Sequence, residues 1–213
     1  MEASDAAEHI VEVNEGGEGR AEDEKFRSRV ALTIAFMAML LAITSLGGGN
    51  AAEDIMNNNI QASDTWAFYQ AKSIRQTANR LAAEQLEADL LINQNSLSPE
   101  ARQEVQRKID KFKETAERYE SEPDKNDPQN PLKGEGRQQL SARAKNFEEQ
   151  RDHAQRQDPN FDFAEALFQI AIVLASVAIL AMSRLIFKVS LVVGALAFVL
   201  MLNGYFLFFT LPI

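Results

Sequence analysis

The stretch "VALTIAFMAMLLAITSL", Val30 to Leu46, runs for 17 residues without a charge. That length sits near the lower limit for a helix crossing about 30 Å of hydrocarbon, and Gly47–Gly49 extend it. Outward from it in both directions the chain turns polar, and apolar residues dominate again only from Phe163 to the end. Two further spans fit there, 163–183 and 185–211, separated by the basic turn "SRLIFKVS". The mean hydropathy of -0.25 therefore averages two solvents. The pattern predicts an all-α membrane protein: three transmembrane helices, with an extended helical, coiled-coil-like stalk outside the membrane between the first and second.

Composition removes whole classes of function. The net charge is -9 over 213 residues, and nucleic-acid binding needs a basic stripe instead. No cysteine is present, so disulfides, thiolate metal sites and cysteine nucleophiles are excluded. His9 and His153 are the only imidazoles, and they lie in different regions. No catalytic residue, metal site or cofactor is expected, and the chain reads as a non-enzyme.

The distribution of Lys and Arg predicts orientation, because basic loops stay on the cytoplasmic side. Arg20, Lys25, Arg27 and Arg29 precede the first span, Arg184 and Lys188 occupy the later turn, and "GGGNAAEDIMNNN" carries no cation. The expectation is a cytoplasmic N-terminus, residues 50–162 outside and an external C-terminus. Small residues at "GGGNAA" also fit cleavage of a signal peptide, but the long acidic lead favours a retained anchor. Residues 1–29 read as an acidic cytoplasmic tail, largely disordered, with a short apolar patch at "HIVEV".

Within 50–162 the expected helices are about 51–95, 98–120 and 137–157. The first lacks Gly and Pro; the second has Ser98 as cap and Pro99 at its first position. "SEPDKNDPQNPLKGEG", 121–136, reads as a loop, and "DPNFD" as the end of the third helix. "GGG" at 47–49 reads as a flexible exit from the membrane. Ile60, Ala67, Ile74, Leu81 and Ala88 recur every seven residues and mark a seam for another helix. A second seam runs through Val105, Ile109, Phe112, Ala116 and Tyr119. At 1.5 Å per residue the first helix matches the other two placed end to end, which favours their return beside it in series.

Trp66, Phe68 and Tyr69 stand among small residues, which suits internal packing against the third helix or an interface anchor. In the spans, Gln169 and Asn203 each lie 17 residues from Ile186, predicting a hydrogen bond between them, with Glu165 one turn away. Glu165 and Gln169 together also suit an ion path. "DKNDPQNPLKGE" mimics a calcium loop, but Pro128 and Gln129 stand at its fifth and sixth positions, so an EF-hand is rejected.

The segment "QASDTWAFYQAKSIRQ", Gln61 to Gln76, resembles the signature of the bacterial membrane family known as domain of unknown function 4337. The motif covers Ala62 to Arg75, and the layout of tail, span, polar helical region and terminal hairpin is similar too. The resemblance implies a multi-pass protein of the bacterial inner membrane and transfers no catalytic residue. Function is expected to be structural: a periplasmic scaffold that forms a homo-oligomer or holds another membrane protein, in contact with the lipid bilayer and no nucleic acid. The alternative is an oligomeric small channel or an accessory subunit of a transport complex.

Overall fold

A computed structural model describes residues 22–93 and 95–211 in full, with the backbone alone for 3–21. Of the tail expected to be largely disordered, residues 22–29 are helical and belong to α1, and the rest lies outside the fully described residues. Among the described residues four helices follow one another: α1 (Ala3–Ile92), α2 (Pro99–Glu120), α3 (Arg137–Leu180) and α4 (Arg184–Phe206). Among the described residues the only β-type pairing is an isolated bridge between Pro123 and Gly134. Three of the helices are long and apolar enough to cross a membrane, α1 between Glu22 and Ile92, α3, and α4.

Two of the breaks expected from the sequence are absent. α1 runs without interruption through Gly47–Gly49, so these glycines are helical and not a flexible exit. Gly47 is there for close approach, whereas nothing lies within 4 Å of a Cβ at Gly49. A Cβ at Gly47 would lie 2.6 Å from Phe161 Cε1, and one at Gly204 would lie 2.7 Å from the same atom. α3 likewise runs straight through "DPNFD", with Pro159 in its interior. Proline removes one amide donor and crowds the next backbone bond. Asn160 compensates by donating its side-chain amide to the Arg156 carbonyl at 2.8 Å. The helix holds its phase there because Phe161, 3% exposed, must seat between those two glycines.

The chain divides into two compact units, one of residues 1–53 with 154–213 and one of residues 54–153. In the first, Met37 and Leu40 of α1, Phe168 and Ala171 of α3, and Ala197 and Met201 of α4 form the core. Small residues let the helices meet closely: Ala171, Ala175 and Ala178 are fully buried, and Ser190 donates to the Ala171 carbonyl at 2.7 Å. α3 closes through a 3.1 Å bond from Ser183 N to Ala178 O, with Met182 at φ 48, and Ser183 caps α4. α4 ends at Phe206 instead of reaching 211, because Leu207 turns left-handed and Asn203 captures the backbone of Phe209.

In the second unit the contacts along α1 follow one order. Asn59 meets Arg151, Trp66 meets Glu148, Lys72 meets Glu122, Gln76 meets Ala116 and Glu87 meets Lys113. Partner numbers fall as α1 advances, so the start of α3 and then α2 lie antiparallel to it in series. α2 buries the face the sequence marked, with Ile109 and Ala116 inside. The seam on α1 is another matter. Asn58, Ala62, Lys72, Gln76 and Ala83 are buried, while Ile60, Ile74 and Leu81 are exposed. The heptad Ile60, Ala67, Ile74, Leu81 lies roughly half a helical turn from the packed face, so it is not the intramolecular seam. On the exposed side of α2, Glu104 pairs with Arg107 at 3.1 Å.

Candidate functional site

The signature segment on α1 builds a buried polar cluster. Positions 62, 65, 69, 72 and 76 share one helix face. There Lys72 is 4% exposed and Gln76 is 2% exposed. A buried ammonium is costly unless paired, and Lys72 Nζ lies 3.1 Å from Glu122 Oε2 and 3.5 Å from Glu135 Oε2. It also stands over two rings, 5.5 Å from the centroid of Phe68 and 5.4 Å from that of Tyr119.

Gln76 ties three elements together. Its amide donates to the Ala116 carbonyl at 3.0 Å and to Glu120 Oε2 at 2.8 Å, and its Oε1 accepts from Arg137 Nη1. Arg137 donates in addition to Glu120 Oε2 at 2.9 Å and to the Tyr69 hydroxyl at 2.7 Å. The Gln76 hydrogen bond, with help from the Arg137 charge, holds the Glu120 carboxyl below its ordinary value of 4.5. Trp66 packs edge to face on Tyr69, with centroids 5.3 Å apart, and its indole donates to Glu148 Oε1 at 2.9 Å.

This cluster clamps the loop 121–136. Arg143 donates to the carbonyls of Leu132 and Gly134, both at 2.8 Å. Gln139 Oε1 accepts from Glu122 N at 3.2 Å, and Glu135 N reaches Glu122 O at 2.9 Å. Gly134 adopts φ +107 with Glu122 O close by, a position that only glycine fills easily. The arrangement is that of a lock: among the described residues Arg137 Nε alone of the buried side-chain polar atoms lacks a partner, and an open pocket of about 440 Å³ borders the cluster, lined by Tyr69, Glu120 and Arg137. Among the described residues no group of three His, Asp or Glu could hold a metal ion.

Of the residues singled out from sequence, Trp66 and Tyr69 turn inward to α3, while Phe68 is 40% exposed. Sequence reading passed over Gln76, Arg137, Glu120 and Glu122. Gln76 had a signal in the three- and four-residue rhythm of polar groups on the aromatic face of α1; Glu120, Glu122 and Arg137, on other elements, had none. The hydrogen bond expected between Gln169 and Asn203 does not form. Gln169 is exposed and bonds to Glu165 on its own helix at 3.3 Å, whereas Asn203 is fully buried and donates to Asn160 Oδ1 at 2.7 Å. The expected pivot at Ile186 was too late. Met182 is the turn, and the shift moves the partner of Asn203 by about two helical turns.

Among the described residues the chain is helical, with three helices long and apolar enough to cross a membrane and, in its second unit, a locked polar cluster. The family described as Domain of unknown function (DUF4337) matches residues 26–207, and the chain belongs to it. No curated protein and no solved structure matches the chain.

Proposed function

We propose that this protein is a non-enzymatic structural protein of the bacterial inner membrane. In this reading α1, α3 and α4 each supply one span, and residues 50–162 form a periplasmic helical stalk that assembles with further copies of the chain. The N-terminus is cytoplasmic and the C-terminus periplasmic, supported by the cations Lys25, Arg29, Arg184 and Lys188 gathered at one end of the apolar helices.

The observation that carries the reading is the inverted character of α1 beyond Asp54. Its packed face holds Lys72 and Gln76, while Ile74 is 71% exposed and Leu81 52% exposed on the opposite face. Ile60, Ala67, Ile74, Leu81 and Ala88 repeat every seven residues over about 42 Å of helix, a coiled-coil spacing with small residues between large ones. A second copy offers the same stripe, as two-fold pairing requires.

The test is the native mass of the full chain extracted in mild detergent, compared with Ile74→Lys/Leu81→Lys. Homo-oligomeric parent and monomeric variant support the proposal. A monomeric parent, alone or with a stoichiometric foreign subunit, overturns self-assembly, and the foreign subunit would make this chain an accessory protein.

One observation favours a channel as second reading. Glu165 and Gln169 form a polar pair on the apolar segment of α3 that follows Asp162, with Gln169 exposed. In an oligomer such a pair could line a pore. Ion flux in liposomes that falls with Glu165→Gln would support it, and silence of the parent would remove it.

A further inference from the structure

In the unit of residues 1–53 and 154–213, α1 and α4 leave an open groove of about 530 Å³. Lys25 and Arg29 line it from α1, and Arg184 and Lys188 from α4. Each pair is spaced i, i+4, so its two cations stand on one helix face. Glu22 is the one carboxylate in the lining, and Arg184 already holds it at 3.1 Å. Among the described residues, Lys25, Arg29 and Lys188 make no ion pair.

The cations border an apolar surface. Phe26 and Phe187 also line the groove, packed edge to face with centroids 5.8 Å apart. On α4, Val192 and Leu196 follow Lys188 at four-residue steps on the same face, 61% and 55% exposed. A small anion would use the cations and leave that face bare. A molecule with a phosphate head and hydrocarbon tails uses both.

We propose that this groove binds the phosphate headgroup of an anionic glycerophospholipid, with its acyl chains along Val192 and Leu196. The assignment rests on the reading of α1 and α4 as membrane spans. It is separate from the stalk cluster and from self-assembly.

The test uses the full chain in detergent micelles, with phosphatidylglycerol and phosphatidylcholine added in equal amounts and retained lipid counted by native mass spectrometry. The parent retains phosphatidylglycerol in preference. Lys25→Gln and Lys188→Gln each weaken that preference roughly fivefold, while Lys108→Gln on α2 leaves it unchanged. Thermal unfolding of each variant, read by Trp66 fluorescence, confirms that it is folded. Equal retention of the two lipids by the parent, or an unchanged preference in both folded groove variants, overturns the proposal. Displacement of the lipid by an equal concentration of inorganic phosphate also overturns it, and marks a site for free anions instead. Alkaline carbonate separates the two readings. Release of the chain from its native membrane sinks the spanning assignment itself, whereas a chain that stays in the membrane without lipid preference sinks only the groove.

Discussion

Lys72 and Glu122, 50 residues apart, meet at 3.1 Å with the ammonium sealed from solvent and the carboxylate partly open to it. The pair joins the last third of α1 to the start of the loop that links α2 and α3. Because the cation is buried, removal of its partner matters more than the mere presence of an ion pair.

Glu122→Gln therefore leaves Lys72 with Glu135 as its remaining anion, and destabilises the chain by about 1–3 kcal/mol, discounted from the fully buried case because Glu122 is partly exposed. Lys72→Met, which removes the buried charge and keeps the stem, costs less. The check is thermal unfolding of the full chain in micelles, followed by the fluorescence of its one tryptophan, Trp66, which lies on the same face.

Acid loosens the same cluster. Glu120 has its carboxyl lowered in the folded state, so its contribution is complete above the unfolded value near 4.5 and is lost as pH falls through the folded value. Asp127, lowered by its bond from Lys133, acts in the same direction. The midpoint of unfolding falls between pH 5 and 3, and Glu120→Gln flattens that dependence while lowering stability at pH 7.

Two glycines on one helix turn give opposite outcomes. Both Gly47→Ala and Gly49→Ala gain up to about 1 kcal/mol of helix propensity. Nothing lies within 4 Å of a Cβ at Gly49, whereas at Gly47 it meets Phe161 and the Tyr205 hydroxyl. Gly49→Ala stabilises, and Gly47→Ala is worse than it by about 1–3 kcal/mol from overpacking. Adding Phe161→Leu to Gly47→Ala recovers part of the difference.

Asn203→Leu leaves the backbone of Phe209 and the side-chain Oδ1 of Asn160 without their partner. Each unsatisfied buried group costs about 1–3 kcal/mol. Hydrogen exchange at residues 207–211 rises sharply in this variant and stays near the parent level in Gln169→Leu, whose side chain bonds only Glu165.

Sequence made the helical class and the candidate spans visible because charge-free runs and the cap Ser98–Pro99 are local signals. The seam on α2 was visible for the same reason: Ile109 and Ala116 are apolar and buried. On α1 the rule that apolar residues face inward fails at Lys72 and Gln76. Their burial is made tolerable only by Glu122, Glu120 and Arg137, tens of residues away. Pro159 and the glycines at 47–49 read as breaks because propensity is local, while the seat of Phe161 is not. The depth of Asn203 depended on one turn residue, Met182, whose left-handed backbone carries no compositional mark.

The loop 121–136 has the composition of a hinge, yet both its ends are fastened: Lys72 and Gln139 hold Glu122, and Arg143 grips Leu132 and Gly134. A protease must draw several residues of extended chain into its cleft. Here the prolines and these anchors deny it that slack, so the most obvious nick site in the sequence is a poor substrate. The two halves of the helical unit are coupled through a stiff clasp, and strain applied to α2 reaches α3 instead of being absorbed between them.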